Sequence, residues 1–289
     1  MSFVISSYET PGHGLERAMR EQAEKLASEC ENAPEDAAAF AHKARVRCKK
    51  IRAGLRLAEP LIGGKAFRRE NRWWRDAART LSGLRDMGAG IEAVETLTPL
   101  LTPKIGTAMV WRLKERFQNV LTADAAAAAV AQFRGTVAER RSGLVPDLPA
   151  GDADDMIEAL GETYRCARRA MKDALKHNDP ELLHEWRKQT KYHSLQVRLL
   201  RTMFPDVLAQ RVGATRELAE KLGEVQDIEV LLNGVKDWAG CPDSLDGLLK
   251  ERRLVLVEEA RGIGAGLFGD KPKAWRKSVA IRENESVES

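Results

Sequence analysis

The residues with the clearest chemical pattern lie between 40 and 57. There FAHKARVRCKKIRAGLRL carries seven Lys and Arg, one His and no acid in eighteen residues. Taking His42 as position i, Arg45, Lys49, Arg52 and Arg56 follow at i+3, i+7, i+10 and i+14. That spacing puts all five side chains on one face of a helix. At 1.5 Å per residue the stripe is roughly 21 Å long. Like charges at these spacings destabilise a helix by about 0.2–0.5 kcal/mol per pair. A stripe that is merely solvated would be expected to find acids beside it or on neighbouring helices, and this stretch has none of its own. A guanidinium offers a fork of donors matched to phosphate oxygens, and an ammonium adds a point charge. A His donates to phosphate when protonated, and a polyanion beside it favours that protonation. The chemistry implied is recognition of a long or densely charged phosphate species.

The pattern occurs twice. His42, Arg45 and Lys49 read H-x-x-R-x-x-x-K, and so do His184, Arg187 and Lys191, at an offset of 142. Arg198 keeps the i+14 place, whereas Ser194 stands at i+10. Further on, Arg75 matches Arg216, Leu81 matches Leu222, Leu84 matches Val225 and Asp86 matches Asp227, all at an offset of 141. A duplicated helical unit accounts for this register, with a pseudo-twofold relation between the halves as its natural geometry. Arg68, Arg72, Arg75 and Arg79 form a second basic face (i, i+4, i+7, i+11), of which the second half clearly keeps Arg216, with Arg211 and Lys221 nearby. Further cations fall at Arg17 and Arg20, and at Arg165, Arg168, Arg169 and Lys172.

The elements that must position these residues read as helices throughout. Periodicity and stop signals predict helices over 13–31, 35–58, 66–87, 90–98, 104–121 and 123–141. Pro60 and Gly63-Gly64 end the second, and Gly88 and Gly90 close the third. SGLVPDLPAGDADD at 142–155 is the strongest linker signal. Helices resume over 154–177 and 180–203, then over 206–239 as one long helix or two, and over 244–268, and the polar tail RENESVES is expected to fray. No convincing strand is found, so the class is all-α with antiparallel neighbours. The divisions expected are 10–141 for the first half, 142–153 for the linker, 154–280 for the second half and 281–289 for the tail.

Composition agrees. Of 289 residues 43% are hydrophobic and 6% aromatic, a balance that favours helices over strands. Net charge is only +4, from 47 Lys and Arg against 43 Asp and Glu, so a polyanion would have to be met by sorting charges into patches. Cys30, Cys48, Cys166 and Cys241 form no C-x-x-C pair and read as reduced thiols of a cytoplasmic protein. The N-terminus has no signal-peptide pattern and no apolar run approaches eighteen residues, so no membrane partner is expected.

Other motifs carry no chemistry. GAGLFG at 264–269 fits G-x-G-x-x-G but has no room for a βαβ unit, and no P-loop occurs. HEWRK lacks the second His of a zinc protease helix, and DADD at 152–155 lacks the EF-hand spacing. No nucleophile–base pair, carboxylate pair or metal set stands out. The six tryptophans are expected mostly in the core, and His13, His177 and His193 carry no motif.

At its two H-x-x-R-x-x-x-K motifs, with FRRENRWWRDAARTLSGLRD following the first, the sequence resembles the CHAD (conserved histidine α-helical domain) family over roughly residues 10–280. The resemblance implies a single CHAD domain over residues 1–289, made of two four-helix bundles related by a pseudo-twofold axis. It implies that basic faces line a central channel that binds inorganic polyphosphate. It carries no implied catalysis, since the triphosphatase-type domain that precedes the unit in some relatives has no place here. By motif match His42, Arg45, Lys49 and Arg52, and His184, Arg187 and Lys191, are implied phosphate ligands. Arg56, Arg75, Arg79, Arg198 and Arg216 follow by register. His193 and Ser194 depart from the family's apolar and basic pair, and Val225-Gln226-Asp227 departs from LRD, so the second half is expected to hold phosphate less tightly. The expectation is a non-enzymatic polyphosphate-binding protein of the cytoplasm, concentrated on polyphosphate granules, without cofactor or metal. A nucleic-acid backbone is the second ligand class to weigh, and a polyphosphate hydrolase or transferase the third.

Overall fold

The computed structural model describes residues 3–118, 121–140, 143–236, 238 and 241–287, the side chains of 243 and 281–287 excepted. Within these it is all-α, with no strand. The helices are α1 (Pro11–Glu29), α2 (Ala37–Leu57), α3 (Glu59–Arg79), α4 (Ser82–Ile105), α5 (Thr107–Gln118), α6 (Ala123–Glu139), α7 (Ala153–His177), α8 (Pro180–Leu200), α9 (Pro205–Val235), α10 (Asp243–Phe268) and α11 (Pro272–Val287).

The two helices that carry the repeated motif start in the same way. Asp36 accepts from the backbone amides of Ala38 and Ala39, at 2.9 and 3.0 Å. Asp179 accepts from those of Glu181 and Leu182, at 2.9 and 3.1 Å. Each carboxylate satisfies orphan donors and favours the positive end of the helix dipole, a contribution of about 1 kcal/mol. Each cap fixes where the first His falls. In α2 the opposite face is apolar, and Phe40, Ala44, Cys48, Ile51 and Leu55 are buried. That face packs on α1, where Leu15, Met19 and Leu26 are fully buried. The cations are thereby turned away from the core.

Packing joins the two halves of the chain. α2 touches α1, α3 and α4, and also α7 and α8 of the second half. α8 lies between α7 and α9, and α9 meets α10 and α4. One wedge fixes α4 against α9: the Phe117 ring occupies the space where a Cβ on Gly90 would come within 2.1 Å of it, and on Gly234 within 2.4 Å. Any larger residue at either glycine would meet the ring. The backbone of residues 3–5 adds another tie, since the Ile5 amide donates to the Leu199 carbonyl at 3.0 Å.

Boundaries differ from the sequence reading at three places. The helix expected over 66–87 breaks at Thr80–Leu81, where the Thr80 hydroxyl donates back to the Ala77 carbonyl and Leu81 is buried. α4 then runs through Gly88, Gly90, Pro99 and Pro103, so the short helix at 90–98 is not separate. The buried Ala93, Val94 and Leu101 carry α4 across both prolines, against a local preference of about 3 kcal/mol each. The stop expected near Gly63 is a kink inside α3, with Gly63 at φ 76°. A helix unread in the sequence, α11, begins with Pro272 and buries Trp275 and Val279. The expected frayed tail is helical to Val287, and residues 288–289 lie outside the described residues. Residues 143–152, in the linker signal, lie against the first half: Leu144, Val145 and Leu148 are buried, and Trp74 Nε1 donates to the Leu144 carbonyl at 3.1 Å. Trp74, Trp186 and Trp275 are in the core, whereas Trp111 is exposed. Cys30, Cys48 and Cys166 are free thiols.

His193 is fully buried among Tyr164, Phe268 and Trp275, with its Nδ1 3.2 Å from the Thr163 hydroxyl. Burial, with Arg211 adding to it, drops its pKa to about 3. The folded state therefore keeps the ring neutral, while the unfolded chain protonates it below its ordinary value near 6.5. Stability from this group is present above that value and is lost as pH falls toward 3. The stability advantage of the native protein over His193→Gln, from urea unfolding, should shrink by about 2 kcal/mol between about pH 7 and pH 5. A constant difference would show that the ring is charged, or can be charged, inside the fold.

Candidate functional site

The site is a cavity at the α2–α8 contact, closed by α4 and α9. Its wider part is about 530 Å³ and its narrower part about 170 Å³. Arg45 and Lys49 of α2, Arg85 of α4, and Arg187, Lys191 and Leu195 of α8 line both parts, so the two are one continuous space. His42 lies on the wall of the wider part and His184 on that of the narrower part, with Arg52 and Tyr192. The cation faces of the two repeated helices thus share one space.

What distinguishes Arg45, Lys49, Arg187 and Lys191 is that none is paired to an acid among the described residues, whereas Arg85 is paired to Asp86 at 3.5 Å. Arg45 donates from Nη1 to the Ala78 carbonyl at 2.7 Å, yet its buried Nε has no acceptor. Arg187 lies beside Gly223 of α9, and its buried Nε is likewise unsatisfied. Lys49 and Lys191 make no hydrogen bond or ion pair among the described residues. In α1 the opposite holds: Arg17 is bonded to Glu9 and Glu21, and Arg20 to Glu16. Desolvation first, and then the charges of Arg187, Arg85, Arg45 and Lys191, push Lys49 down to about 7. Burial is also the largest cause lowering Arg45, Arg187 and Lys191, with Arg85 repelling the first two and Arg187 the third. A guanidinium does not release its proton at physiological pH, so Arg45 and Arg187 remain charged and short of acceptors. Such an arrangement is stabilised by an anion that brings its own oxygens.

Acids enter the same space. Asp36 at the start of α2, Glu92 of α4 and Asp227 of α9 line the wider part. Burial pushes Asp227 up to about 6, with Glu92 adding to the shift and Arg187 opposing it. In the narrower part His184 Nδ1 lies 2.7 Å from Gln226 Oε1. A carbonyl oxygen only accepts, so Nδ1 carries the proton, and Nε2 donates to an anion only in the imidazolium form.

Of the residues expected from sequence, His42, Arg45, Lys49, Arg52, His184, Arg187 and Lys191 line the cavity. The other five lie off its wall. Arg56 stacks over the Tyr192 ring at 3.7 Å and donates to Asn71. Arg75 is paired to Asp76, and the exposed Arg216 to Glu220. Arg216 and Glu220 are both near enough to Lys191 to act on its charge. Arg79 is exposed on α3. Arg198 is exposed and near enough to Lys50, a wall residue, to lower its pKa behind the effect of burial. Sequence reasoning missed Arg85. Its counterpart at the 141 offset is Gln226, so a search for cations shared by both halves passes over it. The LRD triplet was the available signal. Glu92, Asp227 and Tyr192 carried none, because their approach to the stripe is decided by packing.

The geometry sets the sign of a pH dependence. A polyanion binds best with Lys49 charged and Asp227 neutral, and both conditions fail as pH rises. With long-chain polyphosphate as probe, affinity should fall about tenfold or more between about pH 5.5 and pH 8. Lys49→Met should flatten the fall above neutrality, and Asp227→Asn the part near pH 6. A profile left unchanged by both variants would show that neither group meets the anion.

No curated protein matches the chain. The CHAD domain family matches residues 17–233, three quarters of the sequence and the span that holds every cavity residue named above. The chain belongs to the CHAD family.

Proposed function

We propose that the protein binds inorganic polyphosphate without chemically altering it. The observation that carries this reading is the set of cations without an acidic partner among the described residues, Arg45, Lys49, Arg187 and Lys191, facing one cavity from two helices. Membership of the CHAD family supports it. Each condensed counterion released by a neutralised phosphate adds to affinity, so binding depends steeply on salt. The narrow space suits an unbranched phosphate chain over a nucleic acid. Tyr192, the one Phe, Tyr or Trp among the described lining residues, is 4% exposed and covered by Arg56, so it offers no platform for a base. Binding of this kind would hold the protein on polyphosphate granules in the cytoplasm.

Titration of the full chain with long-chain polyphosphate at two salt concentrations tests the proposal. Arg45→Ala/Arg187→Ala should weaken binding about 100-fold or more, since each charged hydrogen bond contributes about 1.5–3 kcal/mol. The same double variant should melt no lower than the native protein, because the two half-buried guanidiniums it removes have no acid paired to them and each leaves Nε unsatisfied. Single-stranded DNA at equal phosphate concentration should not displace the ligand, and incubation with Mg²⁺ should release no phosphate. Undiminished binding by the double variant would sink the proposal. Displacement by DNA would make the ligand a nucleic acid, and phosphate release would make the protein an enzyme.

A further inference from the structure

Four arginines of α3 stand outside the cavity. Arg68, Arg72, Arg75 and Arg79 are all exposed and share one face over roughly 16 Å. Asp76 is the acid among them, bonded to Arg75 at 2.8 Å with both side chains about half exposed. Arg68, Arg72 and Arg79 make no hydrogen bond or ion pair among the described residues. Arg75 holds the Asp76 carboxyl below its ordinary value, with Arg79 and Arg72 adding to it, so these charges sit together.

This face is joined to the cavity by one side chain. Asn71 Oδ1 accepts from Arg52 Nε at 2.9 Å and from Arg56 Nη1 at 3.3 Å. Arg52 is part of the wall of the narrower space. Asn71 lies three residues after Arg68 and four before Arg75, on the same stripe. In the second half Arg216 is paired to Glu220, and Lys221 to Glu224 and Glu259. The positive surface therefore continues outward from Arg52 onto α3, whereas on α9 acids neutralise it.

We infer that a polyphosphate chain longer than the cavity leaves it at Arg52 and runs on along α3, held there by Arg68, Arg72 and Arg79. This rests on the reading that the cavity binds polyphosphate. The occupant is the protruding part of the same chain, since the charge is complementary and the two surfaces are continuous. Long chains then gain affinity from contacts that a short phosphate never reaches.

The test compares tripolyphosphate with long-chain polyphosphate on the full-length protein. In Arg68→Ala/Arg72→Ala/Arg79→Ala, tripolyphosphate affinity should stay within about twofold while long-chain affinity falls about tenfold or more, with a salt slope shallower by about 2–3. Asp76→Asn should strengthen long-chain binding alone, by about two- to threefold at low salt. Matching melting curves establish that both variants fold. Weakening of both ligands alike, or of neither, or no gain with Asp76→Asn, overturns the α3 path and leaves the cavity reading standing. A native protein that binds neither ligand overturns both.

Discussion

The constraint on which the rest depends is the crowding of like charge around Lys49. Arg45, Arg85, Arg187 and Lys191 all act on it, and burial weakens the water screening that would make this tolerable. The acids on the cavity wall do not offset the group: Asp36 is bonded to the first amides of α2, and Asp227 is itself held up toward the neutral form. The fold must therefore supply from elsewhere the free energy that keeps these charges together.

It does so with features remote from the charges. Aspartate caps start α2 and α8. Apolar faces lock α2 onto α1 and α8 between α7 and α9. The Phe117 wedge sets α4 against α9, and so sets Arg85 and Glu92 opposite Asp227. Near His193, the stacked Tyr164 and Trp275 seal the second half with α11. Across the halves, Gln196 Nε2 donates to the Ala53 carbonyl at 3.1 Å, which fixes α8 to α2 close to the cavity. A strained binding site on a rigid support is preorganised: the anion need not order the side chains that meet it.

The two halves are not equivalent in chemistry. The cation at Arg52 has Ser194 as its counterpart, and the cation at Arg85 has Gln226. Gln226 holds the His184 ring instead of meeting an anion itself. The first half thus provides more of the positive charge, through α2, α4 and the outer face of α3. The break at Thr80–Leu81 belongs to this difference. α9 passes the corresponding point unbroken, whereas α4 starts afresh and carries Arg85 onto the cavity wall.

Much of this was legible in the chain itself. Period and capping residues determined that α2 and α8 are helices, where they begin, and that His42, Arg45, Lys49 and Arg52 share a face, because these depend on neighbours within a few turns. The duplicated H-x-x-R-x-x-x-K determined which second helix matters. The tertiary structure decided the rest. Register alone could not separate Lys49, enclosed by four cations, from Arg75 and Arg216, whose charges are spent on adjacent acids, since burial depends on which helices close over a face. Nor could it find Arg85, which has no charged counterpart, or Asp227, whose elevated pKa is created by surroundings from other helices. Local sequence sets the direction of a side chain on its own helix; the dielectric and the partners it meets are set by residues distant in the chain.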